Sequence, residues 1–280
     1  MHRVRSIAEV QTAIDQAKSG ATDYCTNLFA TPARLQAWVD ADELSLWSAP
    51  GAVHLLRREE DFHHWYFAAA NRETLRATAS AHPALQSEPI VTDLVGPPPS
   101  VDAMRPIIET SGFRPYARLQ RLSRIGAPTF PDQSGATTTT IDWASAADLE
   151  AVHELLRASF NRHAEQLPSR TDLAAAIASR QVLAARVPGV AIAGFLHFET
   201  QGASSTVRFW VVSPRSQGLR LGAALLRQYF CTQSTARRFT LWVNAKNNGA
   251  IEKYLHYGFK PDGLIDDVLA NSRIPHENHP

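Results

Sequence analysis

Apolar positions in the second half of this chain alternate between helical and strand rhythms in a regular order. Leu149, Val152, Leu155, Leu156 and Phe160 recur at helical spacing within 142–160, and Ser169-Arg170-Thr171 opens a second helix through Ile177. Strand patterns follow at 181–187 and 190–199, joined by the turn Pro188-Gly189. Gln201-Gly202 leads into a third strand at 205–212, which Pro214 ends. The spacing then predicts a helix over about 218–231 and a strand Phe239-Thr240-Leu241-Trp242-Val243-Asn244. A short helix with an apolar stripe at Ala250, Ile251, Tyr254 and Leu255 comes next. Gly258 supplies its left-handed stop, and a last strand is expected around 265–269.

The first half repeats this order in a worn form. Ala49-Pro50-Gly51-Ala52-Val53 echoes Val187-Pro188-Gly189-Val190-Ala191, and His64-Trp65-Tyr66-Phe67 stands where Arg208-Phe209-Trp210-Val211 does. Ile107-Ile108-Glu109-Thr110-Ser111-Gly112-Phe113 parallels the helix end before Gly258-Phe259, and the two Gly-Phe steps share one offset. Motifs in the same order twice indicate an internal repeat. Residues 127–140 (APTFPDQSGATTTT) carry no apolar period and read as the linker between domains at 1–126 and 141–280.

Composition narrows the function classes. A chain of 280 residues with 44% hydrophobic and 20% charged positions can bury two cores. A net charge of +1 lacks the footprint of a general nucleic-acid binder, and Arg237-Arg238 reads as a solvated strand edge. Cys25 and Cys231 stand alone, which argues against a disulfide framework and for a cytoplasmic setting. No leader peptide and no bilayer-length apolar run is expected. His63-His64 and the pair His276 and His279 lack companion ligands, so no metal is expected.

Two stretches carry chemistry. The strand ending Val211-Val212-Ser213-Pro214 runs through Arg215-Ser216-Gln217-Gly218-Leu219-Arg220 into a helix beginning Leu221-Gly222-Ala223. A helix start offers unpaired N–H groups and the positive end of the helix dipole, which suits a pyrophosphate. The second stretch is Asn247-x-x-Ala250-x-x-x-Tyr254-x-x-x-Gly258-Phe259. Together they resemble the acetyl-CoA-binding signatures of the GNAT superfamily of N-acetyltransferases. The loop departs from the family pattern Gln/Arg-x-x-Gly-x-Gly/Ala. Gln217 and Gly222 match it, while Arg220 stands at the first glycine; a register from Arg215 matches Gly218 and puts Arg220 at the last glycine.

The resemblance implies an α/β fold with two GNAT-like domains, each a mixed, mostly antiparallel central sheet flanked by helices. It implies acetyl-CoA as cosubstrate, held by Val211, Val212, Gln217, Gly218, Leu219, Arg220, Leu221, Gly222, Ala223, Asn247, Ala250 and Tyr254. Asn247 serves as N-cap, cofactor contact or both. The resemblance casts Tyr254 as the acid for the departing thiolate and the Val212 N–H as the oxyanion donor. Thr206 occupies the position where some family members place a glutamate base. Strict alternation puts Arg208 and Trp210 on the same face as Thr206, and neither is a base. The other candidates are His197 and Glu199 on the preceding strand, His163 and Glu165 in the loop after the first helix, and a base acting through a water. The first half carries no glycine after its Trp65 strand and Ile108 in place of Tyr254, so it reads as degenerate.

The expected activity is acetyl-CoA-dependent N-acetylation of a small primary amine by direct transfer, with no nucleic acid or membrane partner; a homodimer is compatible with the sequence. The alternatives are a non-catalytic acyl-CoA sensor, and an acyltransferase using a longer acyl or carrier-protein donor or modifying a protein amine.

Overall fold

A computed structural model describes residues 1–128 and 139–275. Positions 129–138 of the linker reading, and His276 and His279, lie outside the described residues. The chain divides into two compact units, Met1–Leu119 with Gly263–Pro280, and Gln120–Asp262. The division at 127–140 therefore differs from the grouping, in which residues from Gly263 onward join the first unit.

The first unit contains β1 (His2–Arg3), α1 (Ile7–Lys18), β2 (Cys25–Thr26), α2 (Pro32–Asp40), β3 (Leu44–Ala49) and β4 (Ala52–Arg58). It continues with β5 (His63–Ala69), α3 (Arg72–Ala81), α4 (Pro83–Ser87), β6 (Ile90–Gly96), α5 (Pro98–Glu109) and the start of β7 (Phe113–Ile125). The second holds the end of β7, then β8 (Thr140–Trp143), α6 (Leu149–Ser159), α7 (Arg170–Ala178), β9 (Val182–Val187) and β10 (Val190–Gln201). β11 (Ser204–Val212), α8 (Leu221–Thr232), β12 (Arg238–Asn244), α9 (Asn248–His256) and the start of β13 (Lys260–Asn271) follow.

In the first unit the strand order is β1-β3-β4-β5-β6-β13, with β2 added on β5. All these pairings are antiparallel except β5 with β6. β13 pairs β6 from Ile265↔Gly96 to Ala270↔Val91, which explains why Gly263 onward belongs here. The helices start where the sequence supplies caps: the side chains of Ser6, Thr31 and Asn71 accept the backbone N–H groups of Glu9, Arg34 and Thr74. One sheet face buries Leu55 and Tyr66 with Val10 and Trp38 from α1 and α2. The other buries Trp65 and Phe67 with Leu75 and Ile108 from α3 and α5.

The second unit runs β7-β12-β11-β10-β9-β8, mixed because β11 and β12 are parallel. Leu196 and Phe239 pack with Leu225 and Tyr229 of α8, whereas Phe195 and Phe209 pack with Val152 and Leu156 of α6. β8 was hidden in the sequence, because four alternating residues beside a threonine run leave little strand signal. Its Trp143 pairs with Leu183. α8 starts at Leu221, later than its spacing suggests, because Arg220 is left-handed at φ 56°. β13 begins at Lys260, ahead of its expected start near 265.

One irregularity changes which residues share a face. Leu196↔Trp210 and His197↔Phe209 keep register, but the next pair is Phe198↔Val207, so Arg208 is an extra residue in β11. A bulge of this kind reverses the alternation beyond it. Val207 and Trp210 consequently face α8, and Phe209 and Val211 face α6. The reading that Thr206, Arg208 and Trp210 share one face is thereby corrected.

A buried charge group stabilises the first unit. The His64 imidazole lies 3.3 Å from the Asp93 carboxylate and 3.7 Å from Glu59, with its side chain 1% exposed. Burial alone would lower its pKa, but the charges of Asp93 and Glu59 outweigh this and raise it to about 9. A raised histidine pKa contributes stability that is complete below about 6.5, the unfolded value, and is lost as pH rises through the folded one. Urea unfolding of the wild type should lose roughly 3 kcal/mol more than His64→Gln between neutral pH and pH above 9. Equal losses would remove the His64 charge from the account.

Candidate active site

The second unit's site grows from a parallel ladder that stops early. β11 and β12 pair from Ser204↔Arg238 to Val207↔Leu241, and then both strands run on, to Val212 and Asn244. The Ser213 N–H donates to the Ala193 carbonyl at 2.8 Å. Antiparallel pairs alternate, so this bond makes Gly194↔Val212 and Leu196↔Trp210 the pairs that do not exchange hydrogen bonds across β10. The N–H groups of Trp210 and Val212 therefore point away from β10, into the fork between β11 and β12.

Close packing holds this edge in place. A Cβ on Gly194 would lie 2.7 Å from the Val211 carbonyl oxygen and 3.2 Å from the Val212 Cα, so only glycine lets β10 approach here. A Cβ on Gly222 would lie 3.2 Å from the Trp210 ring. Gly222 thus seats the first turn of α8 against the indole at the mouth of the fork. Neither Gly194 nor the contact of Trp210 was singled out from sequence; a glycine inside a strand pattern was the available signal.

The loop leading to α8 places its residues as follows. Pro214–Ser216 form one 3-10 turn, Gln217 is extended at the turn's end, and Gly218 takes φ +86°. Leu219 is exposed, Arg220 is the N-cap, and Leu221 anchors the helix in the core. No side chain caps this helix start, so the first-turn amides remain available to a ligand. Arg220 is in the left-handed region, a conformation that glycine adopts freely and that costs an arginine about 1–2 kcal/mol. Its side chain is exposed.

Tyr254 is 9% exposed and packs at 5.5 Å on the Trp210 ring and at 6.1 Å on Phe259. Burial, and secondarily the Glu165 carboxylate, push its pKa upward, so the phenol is a neutral proton donor at ordinary pH. Asn247 caps α9, its side-chain oxygen accepting the Ala250 N–H at 3.0 Å. Ala250 packs on the α8-side core.

The base candidates scatter. His197 is buried and stacked at 6.0 Å on Phe209, on the α6 face. Glu199 lies opposite Thr206, about 20 Å along β11 from Val212, and pairs at 3.5 Å with Arg208. Neither joins Tyr254 and the Val212 N–H. His163 is buried, its N–H held by the Asn161 side chain, and the Glu165 carboxylate accepts the Asn161 N–H at 2.8 Å. Of the four, Glu165 is the one whose charge reaches Tyr254. Among the described residues no group of three or more His, Cys, Asp or Glu is gathered for a metal, and no helix is long and apolar enough to cross a membrane.

Solved structures share this architecture. A tandem GNAT protein from the clavulanic acid biosynthesis pathway aligns over 99% of this chain and 99% of its own, with TM-score 0.63 and 12% identity. The chain carries a tandem GNAT fold. A GCN5-related N-acetyltransferase from Sphaerobacter thermophilus covers 98% of this chain and 93% of its own, with TM-score 0.54 and 16% identity. One from Kribbella flavida covers 86% and 93%, with TM-score 0.56 and 17% identity. No protein-family model and no curated protein sequence matches the chain. The repeat seen in the sequence is the doubling of this GNAT fold, with β3-β4-β5-β6-α5-β7 matching β9-β10-β11-β12-α9-β13.

The strain at Arg220 can be measured. Arg220→Gly removes a left-handed cost of about 1–2 kcal/mol and adds about 0.5–1 kcal/mol of unfolded-state entropy. A net stabilisation of about 0–1.5 kcal/mol in thermal unfolding is expected; destabilisation would show that the arginine side chain makes a compensating contact.

Proposed function

We propose that the chain is an acyl-CoA-dependent N-acyltransferase that moves an acetyl group from acetyl-CoA to a small primary amine at the second unit. The observation that carries this reading is the convergence of the Trp210 and Val212 N–H groups, the uncapped start of α8 and the buried Tyr254 phenol around one indole. These residues fit acyl-CoA. Its amide-bearing arm can complete the unpaired strand edge, and its pyrophosphate suits the α8 amides beside Gly222. The neighbours' GNAT fold supports acyl-CoA use in general terms.

In this reading the amine nitrogen forms the C–N bond as the C–S bond breaks. The Val212 N–H stabilises negative charge on the thioester oxygen, and Tyr254 donates the proton that the departing sulfur takes. The attacking nitrogen releases its proton to solvent, from which Tyr254 is reprotonated. The hydrophobic wall of Trp210, Tyr254 and Phe259 keeps bulk water from the thioester.

Tyr254→Phe keeps the ring packing and removes the proton. Turnover should fall about 100-fold or more while acetyl-CoA affinity, read by calorimetry, stays within about threefold. Unchanged turnover would take Tyr254 out of the chemistry.

A further inference from the structure

The first unit contains a fork of the same construction. β5 and β6 pair in parallel only at His63↔Ile90 and His64↔Val91, although the strands continue to Ala69 and Gly96. Phe67 and Ala69 are the third and fifth residues past the last pair, as Trp210 and Val212 are past Val207 in the second unit. The first unit's own chain enters its fork and closes the apex, beside a cavity of about 250 Å³ lined by Cys25, Asn27, Phe67, Leu94 and Val95.

Residues 23–28 enter it as an added strand. Cys25 pairs with Ala69 and Thr26 with Ala68, antiparallel to β5, and the Asp23 N–H donates to the Ala70 carbonyl at 3.2 Å. Asn27 then closes the apex, 5% exposed. Its side-chain oxygen accepts the Phe67 N–H at 2.7 Å. Its amide nitrogen donates to the carbonyl oxygens of Trp65 on β5 and Asp93 on β6, both at 3.1 Å, and to Thr92 Oγ1 at 2.9 Å. The Asn27 N–H and the Thr26 hydroxyl both donate to the Phe67 carbonyl. One side-chain amide thus satisfies backbone groups on both diverging strands. The helix that follows is closed as well: the Asn71 side chain accepts the Thr74 N–H at 2.8 Å at the start of α3, where α8 has no side-chain cap.

We infer that residues 23–28 are a built-in occupant of the first unit's strand fork, with Asn27 standing in for the amides of an acyl-CoA arm, so that the chain binds acyl-CoA at the second unit alone. The comparison of ligands rests on the function proposed above, whereas the filling of the fork does not. An occupant in the same chain holds its place without the entropy loss of bringing in a separate molecule. It also satisfies backbone groups that are costly when left buried and unpaired. The first unit needs neither the tyrosine, replaced by Ile108, nor an open glycine loop.

The test is residue-resolved amide hydrogen exchange on the full chain, without and with saturating acetyl-CoA. Without it, the amides of Asn27 and Phe67 should exchange roughly 100-fold or more slowly than unstructured amides; fast exchange would overturn the inference. Asn27→Ala should raise Phe67 exchange at least about tenfold while leaving core amides of the second unit unchanged. With acetyl-CoA, protection should increase at Trp210, Val212 and the first turn of α8, and stay constant across residues 23–28 and at Phe67. A cofactor-dependent change at residues 23–28 or Phe67 would mean that the ligand enters this fork, and the inference falls. If neither unit responds, the proposed donor site fails, and the ligand-free arm alone decides the first fork.

Discussion

The constraint on which the structure depends is a parallel pair of strands that must separate. Each unit holds such a pair, which hydrogen-bonds over a few residues before diverging. Divergence leaves backbone N–H and C=O groups facing a gap, and buried backbone groups must be paired. The second unit leaves an edge on which a ligand can complete the pairing, and the first completes it with Asn27. The chemistry proposed for the chain and its absence from the first unit are two solutions to one backbone problem.

Around the second fork, several features follow from the same geometry. The Arg208 bulge turns Trp210 to the α8 side, where Gly222 and Tyr254 meet it. Without that extra residue the indole would face α6, and Tyr254 would lose the ring it packs on. Gly194 permits the approach of β10 that fixes the direction of the Val212 N–H. Burial of Tyr254 among these groups keeps its phenol protonated at ordinary pH, as the proposed acid role requires.

The fold was legible where periodicity and motif agreed. The helices carrying Leu225 and Tyr254, the strands around Trp65 and Trp210, and the repeated Pro-Gly and Gly-Phe steps all point to a doubled GNAT fold. What stayed hidden depends on partners far away in sequence. A bulge at Arg208 is invisible because the residue fits the alternating pattern, and the face assigned to Thr206 was wrong for that reason. Residues 23–28 carry no period, since their role is set by the fork they fill. Pairing of β13 with β6 is a tertiary choice that no local pattern encodes. Arg220 was legible as a departure from the resemblance, and its left-handed backbone is one that glycine adopts without the cost an arginine carries.

A crystal structure of the chain grown with acetyl-CoA tests the central claim most directly. The account predicts one cofactor per chain, its amide arm bonded to the Trp210 and Val212 backbone, its thioester beside Tyr254 and its pyrophosphate on the first turn of α8. A cofactor bound elsewhere, or an empty fork at saturating acetyl-CoA, would contradict it.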